Sequence, residues 1–195
     1  MTAAGPVFRS GDLVFIATPN PLYRRVAAAT GCPASHVGIL FEDRRRGWVV
    51  AESAVPVCRY RALEEFLARS DHHWFAVRRL PRELSGEEVA ALRRACDARM
   101  GRWYHLGFRY ESHRTFCSKF VHEVYREALG VDVGEVETFG ALLRRNPDEP
   151  LGFWRLWFFG RIPWQRKTIT PASQLFSAAL NTVFQSAPAV IPARR

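Results

Sequence analysis

The sequence has no Cys-x-x-Cys pair, and no apolar stretch approaches the roughly 18 residues that a membrane span requires. The first absence excludes the usual zinc-ligand spacings. The four cysteines, Cys32, Cys58, Cys96 and Cys117, lie far apart, which argues against a disulfide framework in a chain of 195 residues. Free thiols point to a reducing compartment, so a cytoplasmic protein is expected. The second absence excludes a transmembrane helix, and Met1 to Ser10 lacks the apolar centre of a signal peptide. There is no internal repeat, no interior linker, no basic tail and no nucleic-acid-binding motif. No metal, cofactor or nucleic acid is therefore expected as a partner.

What is present suits one globular domain. Hydrophobic residues make up 48% of the chain, enough for a sizeable core over residues 1–176. From Ser177 the pattern weakens and the end is rich in Pro and Ala, so residues 177–195 read as a loose tail. The formal charge of +9 is carried almost wholly by arginine, in short runs set between acidic residues. Such runs read as solvated surface rather than a groove for polyanions.

The most informative stretch is Thr115-Phe116-Cys117-Ser118-Lys119-Phe120-Val121. Phe116, Phe120, Val121, Val124, Tyr125, Ala128 and Leu129 recur at steps of three and four, which predicts an amphipathic helix. Lys119, His122, Glu123, Arg126 and Glu127 fall on the other face. Thr115 fits an N-cap and Gly130 a C-terminal stop, placing Cys117 at the second helical position. The positive end of a helix favours negative charge on a sulfur there, and its free N–H groups can hold an oxyanion. The plainer reading makes Cys117 a small core residue. A histidine decides between them.

His36 is the candidate. Ser35 to Glu42 and Trp48 to Ser53 read as two strands of a hairpin. With an odd-length turn and partners summing to 88, His36 stands directly opposite Glu52 on one sheet face. Val37, Ile39, Phe41, Val49 and Ala51 then share the other face. A turn of even length puts His36 and Glu52 on opposite faces, and the sequence does not choose. A neutral imidazole can take a thiol proton, and a carboxylate on its other nitrogen fixes tautomer and orientation. Otherwise His36 is a hydrogen-bonded strand histidine and Glu52 an exposed carboxylate, with Glu42, Asp43 and Asp12 as competing orienters.

The remaining chain adds less. Gly11 to Ala17 and Trp74 to Leu80 read as strands, Pro21 to Thr30 and Arg61 to Arg69 as short helices. Ser85-Gly86-Glu87-Glu88 is a capping-box pattern opening a helix that runs to about Met100, with Cys96 inward. His72 and His73 are adjacent in an extended segment, so their side chains diverge and read as loop residues. Trp103, Tyr104, Phe108 and Tyr110 precede the cysteine helix and either line a substrate groove or cover the core. Ser35, Tyr104 and Tyr110 are the candidate substrate-binding residues. A short helix from Thr138 to Arg145 leads to Phe153-Trp154-Arg155-Leu156-Trp157-Phe158-Phe159, whose aromatics and arginines either bind a membrane surface or base rings, or pack on the sheet.

Gly11-Asp12-Leu13-Val14-Phe15, Ser35-His36-Val37-Gly38-Ile39, Ala51-Glu52-Ser53 and Phe116-Cys117-Ser118-Lys119-Phe120-Val121 occur in this order. The arrangement resembles the circularly permuted papain-like proteins of the NlpC superfamily, in a YebB-type branch related to the YiiX-type amidases. The resemblance runs from about Ser10 to Ser173. It departs at His105, where related proteins often carry an acidic residue after the tyrosine. It implies an α+β fold with a small antiparallel barrel-like sheet packed against the cysteine helix. It also implies Cys117 as nucleophile, His36 as base and Glu52 as orienter. The implied activities run from amide or peptide hydrolysis to acyl transfer through a thioester, on a small amide, peptide or lipid substrate.

Overall fold

Leu13-Val14-Phe15-Ile16 is apolar on both faces, and the chain uses it as an interior strand, β1 (Leu13–Ile16). In the computed structural model, residues 5–147 and 149–187 are described. After β1 come α1 (Pro21–Thr30), β2 (His36–Asp43), β3 (Gly47–Ser53), β4 (Cys58–Ala62), α2 (Leu63–Leu67), β5 (Phe75–Arg79) and α3 (Gly86–Asp97). The second half carries α4 (Cys117–Leu129), β6 (Glu137–Thr138), α5 (Phe139–Arg145), α6 (Gly152–Trp157), β7 (Lys167–Thr168), α7 (Pro171–Leu175) and β8 (Asn181–Gln185). Six strands form one antiparallel sheet in the order β4-β3-β2-β1-β5-β8, and β6 pairs with β7 separately. The fold is α+β.

Side-chain alternation along the strands separates two apolar faces. Phe15, Val37, Ile39, Phe41, Val49 and Ala51 meet Phe120, Val121, Val124 and Tyr125 of α4 and Leu92 of α3 in the main core. Val14, Ile16, Leu40 and Val50 on the opposite face are covered by Leu63 and Phe66 of α2. A third cluster joins α1, α5 and α6 around Tyr104, Phe116, Phe139 and Trp154.

The structure corrects four local expectations. The hairpin partners sum to 90, as in Ile39 opposite Ala51, so His36 is not directly opposite Glu52. Asp43 sets this register: its Oδ1 accepts hydrogen bonds from the Arg45 and Arg46 amides at 3.0 and 3.1 Å, and Gly47 closes the turn at φ 67°. Cys58–Ala62 is a strand and the following helix is only Leu63–Leu67, where a longer helix from Arg61 was expected; the open edge of β3 supplies the pairing. Helix α4 starts at Cys117 with Phe116 as N-cap, because Thr115 is still extended, bridging Tyr104 and donating to the Trp103 carbonyl. Gly130 does end it, at φ 65°. Finally, Asn181–Gln185 pairs with β5 as an edge strand, where a loose tail from Ser177 was expected; residues 188–195 lie outside the described part.

Candidate active site

Cys117 occupies the first position of α4, and no side chain caps that end. The opening N–H groups of the helix have no partner within it and point toward the region of the sulfur. The segment stays fixed because Phe116 and Phe120 are buried and Ser118 Oγ donates to the Ile169 carbonyl at 2.8 Å. Lys119 and His122, expected on the solvent face, are buried too. Lys119 Nζ donates to the Ser112 and Arg114 carbonyls, and His122 Nδ1 lies 3.0 Å from the Val133 carbonyl oxygen.

His36 and Glu52 share a sheet face, as the even sum requires, but meet on a diagonal. The residue opposite Glu52 is Gly38. A Cβ there would lie 2.4 Å from Val50 Cγ1 and 2.9 Å from the Ala51 carbonyl oxygen. Lacking that atom, Gly38 lets the carboxylate lean across to the first residue of β2. His36 Nε2 donates to Glu52 Oε2 at 2.6 Å, and both side chains are buried. Nδ1, with no hydrogen bond of ordinary geometry, is left to face Cys117, the polar neighbour that acts most strongly on the ring. Catalytic hydrogen bonds are commonly loose before substrate arrives.

Three arginines, which sequence reasoning passed over, converge on Glu52. Arg69 Nη2 lies 2.5 Å from Oε2, while Arg59 Nε and Arg61 Nε lie 3.4 and 3.3 Å from Oε1. Arg69 also stands over the Phe66 ring, which itself lies against the His36 ring at 5.6 Å between centroids. The alternation of arginines in Cys58-Arg59-Tyr60-Arg61, facing an acidic residue across a strand pair, was the available signal. It is masked in the sequence because Arg61 to Arg69 also fits a short helix.

Electrostatics follow from this packing. Burial opposes ionisation of Glu52, but the His36 hydrogen bond and charge, with Arg69, hold its carboxyl far below the usual carboxylate range. Burial likewise opposes a charged His36, yet Cys117 and Glu52 outweigh it and lift the ring to about 9. The raised His36 stabilises the fold fully below about pH 6.5, and that gain is lost as pH rises through about 9. The depressed Glu52 stabilises it above about pH 4.5, and that gain is lost in acid. Thermal stability should therefore peak between about pH 4.5 and 6.5 and decline toward 9. In His36→Gln the alkaline decline should flatten, as melting curves across pH would register; an unchanged slope would assign it to other groups.

Cys117 opens onto a narrow apolar pocket lined by Tyr23, Ser35, Tyr104, Phe116, Phe139 and Trp154, among others. Tyr104 is buried, with its hydroxyl free of ordinary hydrogen bonds. Burial, then Cys117 and Tyr23, push that phenol well above its ordinary range, so it stays protonated beside the sulfur. Ser35 lines the pocket too, but its Oγ already accepts from the Thr18 amide at 2.8 Å. Tyr110 does not line it: its ring meets His122 edge-on at 5.8 Å and Lys119 on another surface. Tyr23, unforeseen, sits on α1 with its ring edge-on to His36. Of the other acidic candidates, Asp12 is engaged with Arg79 and Asp43 with Arg93, and Glu42 is exposed near the hairpin turn, opposite Trp48. Cys32, Cys58 and Cys96 are buried, and burial pushes each thiol up.

Comparison with known proteins bears on the family and the fold. A family model described as "Permuted papain-like amidase enzyme, YaeF/YiiX, C92 family" matches residues 7–184. The uncharacterized protein YiiX of Escherichia coli K12 is 26% identical over 180 residues, covering 92% of this chain and 88% of that one. A crystal structure described as metalloprotein YiiX from Escherichia coli O157:H7 is similar with a TM-score of 0.81 at 25% identity, over 92% of this chain and 98% of that one.

Proposed function

We propose, on the premise that this chain belongs to the YaeF/YiiX family of permuted papain-like amidases, that it hydrolyses an amide or peptide bond, or an ester, through a thioester on Cys117. The observation that carries this reading is the row Cys117, His36, Glu52 at the mouth of an apolar pocket. His36 Nδ1 takes the thiol proton, and the sulfur bonds to the carbonyl carbon. The opening N–H groups of α4 and the Tyr104 hydroxyl face the developing oxyanion. His36 then protonates the leaving amine or alcohol. Water attacks the thioester while His36 takes its proton, the acid leaves, and the thiol is restored. Glu52 keeps the imidazole in the tautomer that accepts at Nδ1.

The YiiX crystal structure is described as that of a metalloprotein. Among the described residues, no group of three His, Cys, Asp or Glu side chains is placed to hold a metal ion, and both oxygens of Glu52 are already taken by His36 and the arginines.

Iodoacetamide at neutral pH should label Cys117 before Cys32, Cys58 or Cys96, since only Cys117 has a base beside it. First labelling of any other thiol, read by peptide mass, would remove the nucleophile assignment. Tyr104→Phe should lower turnover by about 10²-fold without changing the melting temperature, the usual cost of one oxyanion donor. A rate within twofold of the parent would leave the oxyanion to the backbone alone.

A second reading, acyl transfer to or from a lipid, is favoured by the apolar lining of the pocket. Mixing a trapped acyl-enzyme with water alone, an added amine or a phospholipid separates the two. Release at one rate under all three conditions is hydrolysis; acceleration with formation of a new amide or ester is transfer.

A further inference from the structure

The segment from Pro150 to Lys167 contains no acidic residue and four basic ones, Arg155, Arg161, Arg166 and Lys167. Its helix α6 turns Trp154 inward, where it lines the pocket at Cys117, and leaves its outer side uncovered. Leu156 is 81% exposed and Phe159 is 97% exposed. Trp157 extends the apolar surface: it stacks on Phe153 at 5.7 Å and donates from Nε1 to the carbonyl of the exposed Leu106 at 3.0 Å. Trp164, also exposed, follows in the same segment. Arg155 and Arg161 are exposed and make no ion pair among the described residues.

Phe159 adds a second observation. It adopts φ 52°, a left-handed conformation that disfavours side chains other than Asn, Asp and Gly, and Gly160 follows at φ 90°. Folding gains nothing from a phenyl ring in that strained turn with no apolar contact to repay it. Large apolar side chains held out into water beside cations, in a stretch with no acidic residue of its own, are the composition of a surface that meets the headgroup boundary of a bilayer. Arginines beside them select for anionic lipid.

We propose that the outer face of α6 and the turn at Phe159 form a peripheral docking surface for an anionic phospholipid bilayer, seated next to the pocket of Cys117. No helix among the described residues is long and apolar enough to cross a membrane, so the contact is interfacial. The inference does not depend on the chemistry at Cys117, and Cys117→Ser should bind as the parent does.

The test is co-sedimentation of the full chain with vesicles of phosphatidylcholine alone or mixed with phosphatidylglycerol, over a range of salt. The parent should bind the mixed vesicles at least about tenfold more tightly than the neutral ones, and salt should weaken this. Phe159→Asn separates binding from folding. Asparagine suits the left-handed turn, so the melting temperature should hold or rise, while vesicle binding should fall about tenfold. Arg155→Glu with Arg161→Glu should abolish the preference for phosphatidylglycerol, whereas reversing Arg44 and Arg45 in the β2–β3 turn should not. The proposal is overturned if the parent ignores anionic vesicles, or if the α6 variants bind like the parent. It is also overturned if a single-stranded oligonucleotide, rather than the vesicles, is bound through these residues.

Discussion

Replacing Cys117 by serine is expected to reduce hydrolysis of the best substrate in an amide and ester panel by on the order of 10³-fold or more, with the fold intact. The sulfur is the only atom proposed to bond to substrate, and a serine hydroxyl is not deprotonated by a neighbouring imidazole with comparable ease. The substitution is nearly isosteric, so Phe116, Phe120 and Val121 should hold the helix start as before. Intact-mass measurement of the parent during turnover should show the acyl adduct, and the serine variant should show none under the same conditions. His36→Gln should give a loss of similar order while slowing iodoacetamide labelling of Cys117. Turnover that survives in the serine variant would move the chemistry to another group.

The second large effect belongs to Glu52. A carboxylate that orients an imidazole acts on chemistry, so from sequence Glu52→Gln is expected to change rate more than stability. The structure changes it. Glu52 is fully buried beneath Arg59, Arg61 and Arg69, and His36 takes its remaining hydrogen-bonding capacity. Glutamine keeps the shape but leaves three guanidinium groups around a neutral side chain. The expected cost is about 3 kcal/mol of stability, the scale for removing one partner of a buried ion pair, together with a large fall in turnover. Chemical denaturation and single-turnover kinetics measure the two separately. A double variant, Glu52→Gln with Arg69→Met, should recover part of the stability but none of the rate. Recovery of both would make the carboxylate a structural residue.

Much of this site is legible because its chemistry rides on periodicity. The apolar steps from Phe116 to Leu129 identify α4, and strand alternation puts His36 and Glu52 on one face whichever even register is taken. The register itself is not legible. It depends on which of several polar residues caps the turn, here Asp43 through its own neighbours' amides, and on Gly38 leaving room for a diagonal contact, which is a tertiary fact. Arg59, Arg61 and Arg69 look like surface charge in a chain with so many arginines, and only the β3–β4 pairing, with the end of α2 folded over it, reveals that they share one carboxylate. Tyr104 and Tyr110 are indistinguishable in sequence, six residues apart in one loop. The bridge between Tyr104 and Thr115 draws the first to the sulfur, while the second turns to His122. Strand β8 carries too weak a pattern to be read, since an edge strand needs only one apolar side.

That edge strand also moors the start of α4. Arg78 of β5 is buried, with Nη2 2.5 Å from Gln185 Oε1 on β8 and Nε 3.0 Å from the Leu175 carbonyl oxygen at the end of α7. One residue earlier, Gln174 donates to the Ser118 carbonyl at 2.9 Å, beside Cys117. The last strand is thus tied through Arg78 and α7 to the turn that carries the sulfur. A chain cut after Phe176 would leave Arg78 charged and half-undressed in the interior, slacken α7, and let Cys117 drift from His36 although Cys117, His36 and Glu52 were all still present.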